Sequence, residues 1–281
     1  MTIASAVQLR LSDATFTLLR DHILVKTGIF LGDGKKYLVE SRLVGHLADK
    51  GFTSFEEYYQ YIKRSGDSAE EETFFDVMTT NETYFFRDNP QLDFFEKLVV
   101  PMIKSENAAG RKFRIWSAGC SSGEEPYTLA VMAKTALPGI AMQQLEIIGT
   151  DLSKTCLGLA KAGIYSAYSI RNIPEPALAR FFMRKTNEYC ISREIRELVR
   201  LDKLNLSDQP SLNRMRGFNL IFCKNVFIYF SDEVRMKIAE GFNKALLPGG
   251  MLVLGPSEYL KDCSRLFAPQ KHGQCVYYRK I

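Results

Sequence analysis

FRIWSAGCSSGEEPY, residues 113–127, decides the fold. Apolar Phe113, Ile115 and Trp116 leave a basic loop as a strand, small residues from Ser117 to Gly123 break it, and the chain re-forms as a helix, read as Pro126–Leu137. Ser122 followed three residues later by Glu125 reads as a capping box, and Pro126 is tolerated in a first helical turn. Strand, glycine turn and helix, in that order, open the ligand site of a parallel sheet at its carboxyl edge. A phosphate at this helix start would want bare N–H groups and positive potential, yet Glu124 and Glu125 stand there. Two carboxylates repel a pyrophosphate and favour a cationic nucleoside; S-adenosylmethionine, with its sulfonium and ammonium, has that character. On these residues alone a purely structural alternative stays open, with Glu125 capping the helix and Glu124 solvated.

Downstream of this stretch the pattern alternates. LEIIGTD (145–151) is a second strand ending in an acid, SKTCLGLAKAGI (153–164) a helix, VRLDKLNL (199–206) a third strand and FNLIFCKNVFIYF (218–230) a fourth with its exit loop. A helix from Ser231 to Leu247 follows; the turn Pro248-Gly249-Gly250 leads into the strand MLVLGP, and QCVYYRK supplies the last. Strands at this spacing give βαβ units and a mostly parallel, doubly wound sheet. An insertion at about 176–200 interrupts it, its tail YCISREIRELVRL alternating like a small hairpin or edge structure. Asp151, ending the second strand, either accepts hydrogen bonds from ribose hydroxyls or caps the following helix, a role Ser153 could take instead.

Upstream, residues 1–80 read as an all-helical domain. Ser12-Asp13 opens a helix with Phe16, Leu19, Ile23 and Leu24 at helical spacing; a second runs from about Lys35 to Lys50, a third is FEEYYQYIKR behind Thr53/Ser54, and a fourth spans roughly Ala69 to Thr79. Lys35, Lys36, Arg42 and His46 lie on the polar face of the second helix, which on its own is a solvated face. Residues 81–108 link to the region of alternating strands and helices at 109–281 and contribute to its site. In this connection Arg87 sits among Tyr84, Phe85, Phe86, Phe94 and Phe95, where a cation needs a partner.

The composition, 46% hydrophobic and 25% charged over 281 residues, is that of a globular protein. No apolar run has the roughly 18 residues of a membrane span, and the sequence MTIASAVQLRLSD lacks the basic-then-apolar order of a secretion signal. A cytoplasmic protein without membrane insertion is the expectation. The net charge of +5 permits an acidic partner without a nucleic-acid module, and the six scattered cysteines give neither a disulfide framework nor a zinc site.

The set MTTNETYFFRD, IWSAGCSSGEEPYTLA, IIGTDLS, AGIYS, Asn205-Leu206 and IFCKNVFIYF resembles the chemotaxis receptor methyltransferase family, CheR, over nearly the whole chain. The resemblance implies a Rossmann-like class I methyltransferase domain with an inserted antiparallel β-subdomain behind an all-α domain. It implies transfer of the methyl group of S-adenosylmethionine to glutamate side chains of chemoreceptors, with S-adenosylhomocysteine as product and no metal. By motif, Asn81, Thr83 and Arg87 are expected at the methionine end of the cofactor, Glu125 at its ammonium and Asp151 at the ribose. Asn205 and Leu206 are expected to flank the adenine, and Lys224 and Asn225 to supply loop contacts. Arg87 and Tyr229 are expected at the reaction itself, and Lys35, Lys36, Arg42 and His46 become a docking face for the acidic helical bundle of a receptor. Some family members hold a receptor's C-terminal peptide through a glycine-containing loop of the β-subdomain. Here RKTNEYCISREIREL has no glycine, which points to a member independent of that tether. An NPPY-type loop, expected of an adenine or cytosine amino-methyltransferase, is not present in CKNVFIYF.

Overall fold

A computed structural model describes residues 9–79, 81–261 and 264–281. Residues 1–8, read above for a secretion signal, and Cys263 lie outside the described residues. The chain divides into two compact units, Met1–Thr80 and Asn81–Ile281. No helix among the described residues is long and apolar enough to cross a membrane.

The first unit holds helices α1 (Asp13–Thr27), α2 (Lys36–Lys50), α3 (Phe55–Arg64) and α4 (Ser68–Met78). The starts of α1, α3 and α4 are set by side chains: Ser12 accepts from the Thr15 N–H, Ser54 from Glu57 and Asp67 from Ala69 and Glu70. Phe16, Leu19, Ile23, Val39, Leu43, Leu47, Phe55, Tyr58 and Phe74 are buried together. The expected open basic face on α2 is not what forms. Arg42 donates to the Met78 carbonyl and His46 lies 2.5 Å from Glu70, so both are turned onto α4. Lys36 pairs with Asp13 at 2.6 Å, and Lys35 alone of the four is exposed. The reason is Glu70, which is buried on α4 and draws His46, Lys50 (3.0 Å) and the Tyr58 hydroxyl (3.0 Å) around it.

The second unit is built on a seven-stranded sheet. Its strands are β1 (Phe113–Ala118), β2 (Leu145–Asp151), β6 (Val199–Lys203), β7 (Phe218–Cys223), β8 (Leu246–Leu254), β9 (Phe267–His272) and β10 (Cys275–Lys280), in the order β6-β2-β1-β7-β8-β10-β9. The first five are parallel, with Phe113 opposite Leu145 and Ile115 opposite Leu220; β10 and β9 close the edge antiparallel. β9 was not expected: its FAPQKH sequence carries Pro269, a residue strands tolerate only at an edge, where β9 lies. Alternation sends Ile115, Ile147, Leu220 and Val253 to one core with the helices α7 (Glu124–Ala136) and α8 (Lys154–Ala162). Trp116 points to the other face, ring against Phe218 and Phe242.

Residues 81–108, expected as a connection, are built into this unit. Helix α5 (Asn89–Phe94) continues through a π turn (Phe95–Val99) into α6 (Val100–Ala108), with Phe94, Phe95, Val99 and Ile103 in the core. Pro101 supplies no N–H to the helical ladder, and the π turn lies directly before it. The small second sheet has the order β3-β5-β4, from β3 (Ile164–Ser166), β4 (Phe182–Lys185) and β5 (Glu188–Ile191). It therefore begins before residue 176, because Gly163 ends α8 in a left-handed turn and its carbonyl accepts from Ile191. Helices α9 (Ala167–Ile170) and α10 (Glu175–Phe181) lie between β3 and β4. Of the tail YCISREIRELVRL only residues 189–191 stay in the hairpin; α11 (Arg193–Arg196) follows, and 199 onward joins the main sheet. The remaining helices are α12 (Gln209–Leu212) and α13 (Asp232–Ala245).

Burial would raise the Glu70 carboxyl, but hydrogen bonds from His46, Lys50 and Tyr58 outweigh it and hold it below the usual range. A depressed carboxyl stabilises the fold above its unfolded titration and loses that stabilisation as pH falls through the folded one. Glu70→Gln should destabilise the first unit by on the order of 2 kcal/mol at pH 7, and the gap to the wild type should close as the pH is lowered through the carboxylate range. Amide hydrogen exchange of α2–α4 in the full chain measures this; a gap that stays constant with pH would disprove the linkage.

Candidate active site

The order β6-β2-β1-β7-β8 reverses direction between β1 and β7, and in such sheets ligands sit outside the carboxyl ends at that reversal. Five loops leave those ends, one from each parallel strand. After β1 the chain turns through Gly119 (φ 79) and Ser121 (φ 49). A side chain at Gly119 would collide with Val226 in the loop after β7, so glycine is required both by the turn and by the neighbouring loop. Ser121 donates its N–H to Asp151 Oδ2 (2.7 Å) and its hydroxyl to the Asn81 carbonyl (3.0 Å). Asp151 Oδ1 accepts from the Ser153 N–H (2.9 Å), and the Asp151 carbonyl accepts from Leu204 (3.0 Å) at the head of the loop after β6. There Asn205 Oδ1 accepts from both the N–H and the hydroxyl of Ser207, and Leu206 is buried.

The two glutamates divide their roles. Glu124 is buried, accepting from the hydroxyls of Ser122 (2.7 Å) and Ser169 (2.5 Å). The expected capping box does not form, because Gly123 (φ 91) takes the cap position and Ser122 turns to Glu124. Glu125 faces the sheet edge. Its Oε1 accepts from the Ser117 hydroxyl (2.7 Å) and its Oε2 lies 3.2 Å from Lys224 Nζ. Lys224 is itself nine-tenths buried and also reaches Asp88 Oδ2 at 3.1 Å. Two carboxylates thus share one ammonium.

Asp88 brings the segment before α5 into the site. Phe85 is fully buried, its ring edge-on to Tyr165 and Phe182, and its N–H bonds the Ser169 carbonyl. Phe86 (φ 55) and Asp88 (φ 67) are both left-handed, a conformation that costs side-chain-bearing residues free energy and clusters at functional sites. Phe86 is held by Thr128 of α7, whose hydroxyl accepts its N–H at 3.1 Å. Arg87 lies between the two strained residues, donates to the Glu82 carbonyl (3.2 Å) and stands 3.9 Å from Asp88. Across the edge, Asn225 (φ 59) and the turn Phe227–Tyr229 are fixed by Glu258, whose carboxylate accepts from the N–H groups of Asn225 (2.8 Å), Gly255 (2.7 Å) and Ile228 (3.2 Å).

Residues 14–79 match the family model for the CheR methyltransferase all-alpha domain, and residues 81–275 that for the CheR methyltransferase SAM binding domain. The chain belongs to the CheR methyltransferase family. It is 34% identical to chemotaxis protein methyltransferase 2 of Vibrio cholerae, over 96% of this chain and 94% of that protein. It is 36% identical to the chemotaxis protein methyltransferase of Borreliella burgdorferi, over 85% and 86%, and 33% identical to that of Escherichia coli, over 96% and 92%.

The donor set of this CheR domain fits S-adenosylmethionine. A carboxylate accepts about four hydrogen bonds; Glu125 uses one on Ser117 and one on Lys224, which leaves capacity for an ammonium. The more exposed Arg87 stands beside Asp88, so Lys224 and Arg87 balance Asp88 and Glu125, and it is the remaining lone pairs of Glu125 that suit one further cation. Asp151 gives one lone pair to each of two backbone N–H groups and has others for hydroxyls. Of the residues singled out in the sequence, Arg87, Lys224 and Glu125 are joined through Asp88, Asn81 and Asp151 through Ser121, and Asn225 is held by Glu258; Asn205 and Leu206 follow Leu204, which is bonded to Asp151. Thr83 and Tyr229 are half-buried on the same segments. Ser117, Ser121, Thr128, Asp88 and Glu258 were missed. Asp88 adjoins Arg87 and Glu258 follows the end of β8, so the strand-end rule was the signal available. Cys120 and Cys223 lie close by, but burial pushes both thiols well up, so they stay protonated.

Gly119→Ala should drive Val226 and the loop after β7 out of place and weaken S-adenosylmethionine binding at least about tenfold, since backbone misplacement of this size is costly. The double variant with Val226→Ala should recover part of that loss. Titration calorimetry decides it: full affinity in Gly119→Ala would show that the close approach does not shape the site.

Proposed function

We propose that this protein methylates glutamate side chains of chemoreceptors, using S-adenosylmethionine and giving glutamyl methyl esters and S-adenosylhomocysteine for chemotactic adaptation. The observation that carries the reading is the contact series Arg87–Asp88–Lys224–Glu125, which joins a half-buried guanidinium to the expected ammonium site through three ion pairs. When bound, S-adenosylmethionine supplies a methyl group on a sulfonium, which a carboxylate can take without help from a base. Arg87 grips the incoming carboxylate, because its planar fork matches two carboxylate oxygens, and Tyr229 positions the same group through its hydroxyl. Glu125 holds the cofactor ammonium, Asn81 and Thr83 line its methionine end, Asp151 takes the ribose, Asn205 and Leu206 flank the adenine, and Lys224 and Asn225 complete the loop contacts. Orientation and exclusion of water supply most of the rate, for which well-held geometries are worth roughly 7–11 kcal/mol.

The reaction takes place in the cytoplasm, on the cytoplasmic helical bundle of the receptor, without membrane insertion or nucleic acid. Docking by the first unit falls to Lys35 and Lys36. Arg42 and His46 are committed to α4, whereas half-buried Lys36 pairs with the exposed Asp13, and such surface pairs hold weakly.

Labelled S-adenosylmethionine with receptor-bearing membranes should give protein label that mild base releases as volatile methanol; base-stable label would mean N-methylation and would overturn the assignment. Arg87→Ala should lower kcat/KM for the receptor by about a hundredfold or more while cofactor affinity changes by only a few fold; transfer at the normal rate would remove Arg87 from the reaction.

A further inference from the structure

Tyr84, Tyr168 and Arg171 take no part in the site as assembled so far, yet they are fixed to it. The Phe85 N–H bonds the Ser169 carbonyl at 3.0 Å, and the Ser169 hydroxyl donates to Glu124 at 2.5 Å, so α9 is fastened both to the segment that carries Arg87 and to α7. Phe85, Ser169 and Ile170 are buried in this junction. Their neighbours face outward: Tyr168 is 57% exposed, Arg171 is exposed and Tyr84 is half-buried.

On this platform the guanidinium of Arg171 lies 3.8 Å from the ring centroid of Tyr84 and 3.8 Å from that of Tyr168. Arg87 stands 5.5 Å from the centroid of the same Tyr84 ring. Two guanidiniums therefore share one aromatic ring. The Glu82 carboxylate accepts from the Tyr168 hydroxyl (3.2 Å). Arg171 donates to the Tyr168 carbonyl (2.5 Å), and among the described residues it forms no ion pair. Stacking on two rings holds a long side chain in one place without consuming its charge. An ordered, exposed and unpaired guanidinium next to another is a surface prepared for an anionic partner, because the ordering cost is already met before binding.

Resting on the reading of Arg87 as the group that grips the acceptor, we propose that Arg171 is a second carboxylate-binding residue. In this arrangement the acceptor segment is selected for an acidic side chain beside the one that is methylated. Tyr84 and Tyr168 are positioning residues: they set the place of the Arg171 fork.

The test compares the wild type, Arg171→Ala, Arg171→Lys and Tyr168→Ala on receptor-bearing membranes, with kcat, KM and cofactor affinity measured separately. It also uses a receptor in which acidic residues flanking the accepting glutamate are replaced by glutamine. Arg171→Ala should raise KM for the receptor roughly tenfold, with kcat and cofactor affinity within about twofold and a weaker dependence of KM on salt. Arg171→Lys and Tyr168→Ala should fall between. The glutamine receptor should lose the same factor against the wild type and almost nothing further against Arg171→Ala, as expected of a coupled pair. Unchanged KM in Arg171→Ala, equal sensitivity of both enzymes to the glutamine receptor, or loss of thermal stability and cofactor binding would each overturn the proposal. Absence of base-labile transfer by the wild type would instead overturn the assigned reaction.

Discussion

Lys224 is nine-tenths buried, and an ammonium taken that far from water persists only with counter-charges in contact. Asp88 and Glu125 provide them, one from the segment before α5 and one from the first turn of α7. Three stretches far apart in sequence are thereby tied at one point: the approach to α5, the glycine loop after β1 and the loop after β7. Removing the lysine charge would leave two carboxylates facing each other; removing either carboxylate would leave an under-compensated ammonium. Glu125 spends one lone pair on Ser117 and one on Lys224, and the capacity it retains is what makes the cluster receptive to a further cation.

The same edge concentrates backbone strain. Phe86, Asp88, Ser121 and Asn225 all have positive φ, and each is held by a specific contact: Phe86 by Thr128, Asp88 by Lys224, Ser121 by Asp151 and Asn225 by Glu258. Left-handed backbone at a residue with a side chain persists only where its surroundings over-determine it. The site is thus rigid because neighbouring loops hold one another. Glu258 illustrates the economy of this: one carboxylate receives three N–H groups from two loops and so fixes the turn that carries Tyr229.

Much of this was legible in the sequence where one stretch decides its own structure. The β1 strand, glycine loop and α7 follow from FRIWSAGCSSGEEPY, and β2, β6 and β7 from their apolar runs. What escaped depends on partners distant along the chain. Ser122–Glu125 satisfies the capping-box spacing, but Ser169, pinned by Phe85, helps draw Glu124 inward and Ser122 with it, leaving Glu125 to the site. The polar face of α2 has the spacing of a docking surface, but a buried Glu70 on α4 reverses the direction of His46. β9 lacks an apolar run because it pairs on one side only, at the end of the sheet. Asp88 is 136 positions from Lys224, and no local pattern encodes that contact.

The protonation states around the site bear on which acceptor it suits. Burial raises the Tyr127 hydroxyl to about 12, and burial followed by the charge of Glu124 raises Tyr165 further. Cys120 and Cys223 are likewise held as thiols by burial. None of the three histidines, His22, His46 and His272, lies in the loops that leave the carboxyl ends of the parallel strands. A general base works best when it titrates near the operating pH, and these hydroxyls and thiols are moved away from it. An amine acceptor, which arrives protonated, would have to lose a proton to such a base before it could attack. A carboxylate arrives already ionised and needs only a cation to orient it and a partner charge to cancel. In the proposed reaction Arg87 at the rim, with the buried ion cluster behind it, supplies positioning without proton transfer, and that is the chemistry of ester formation on an acidic side chain.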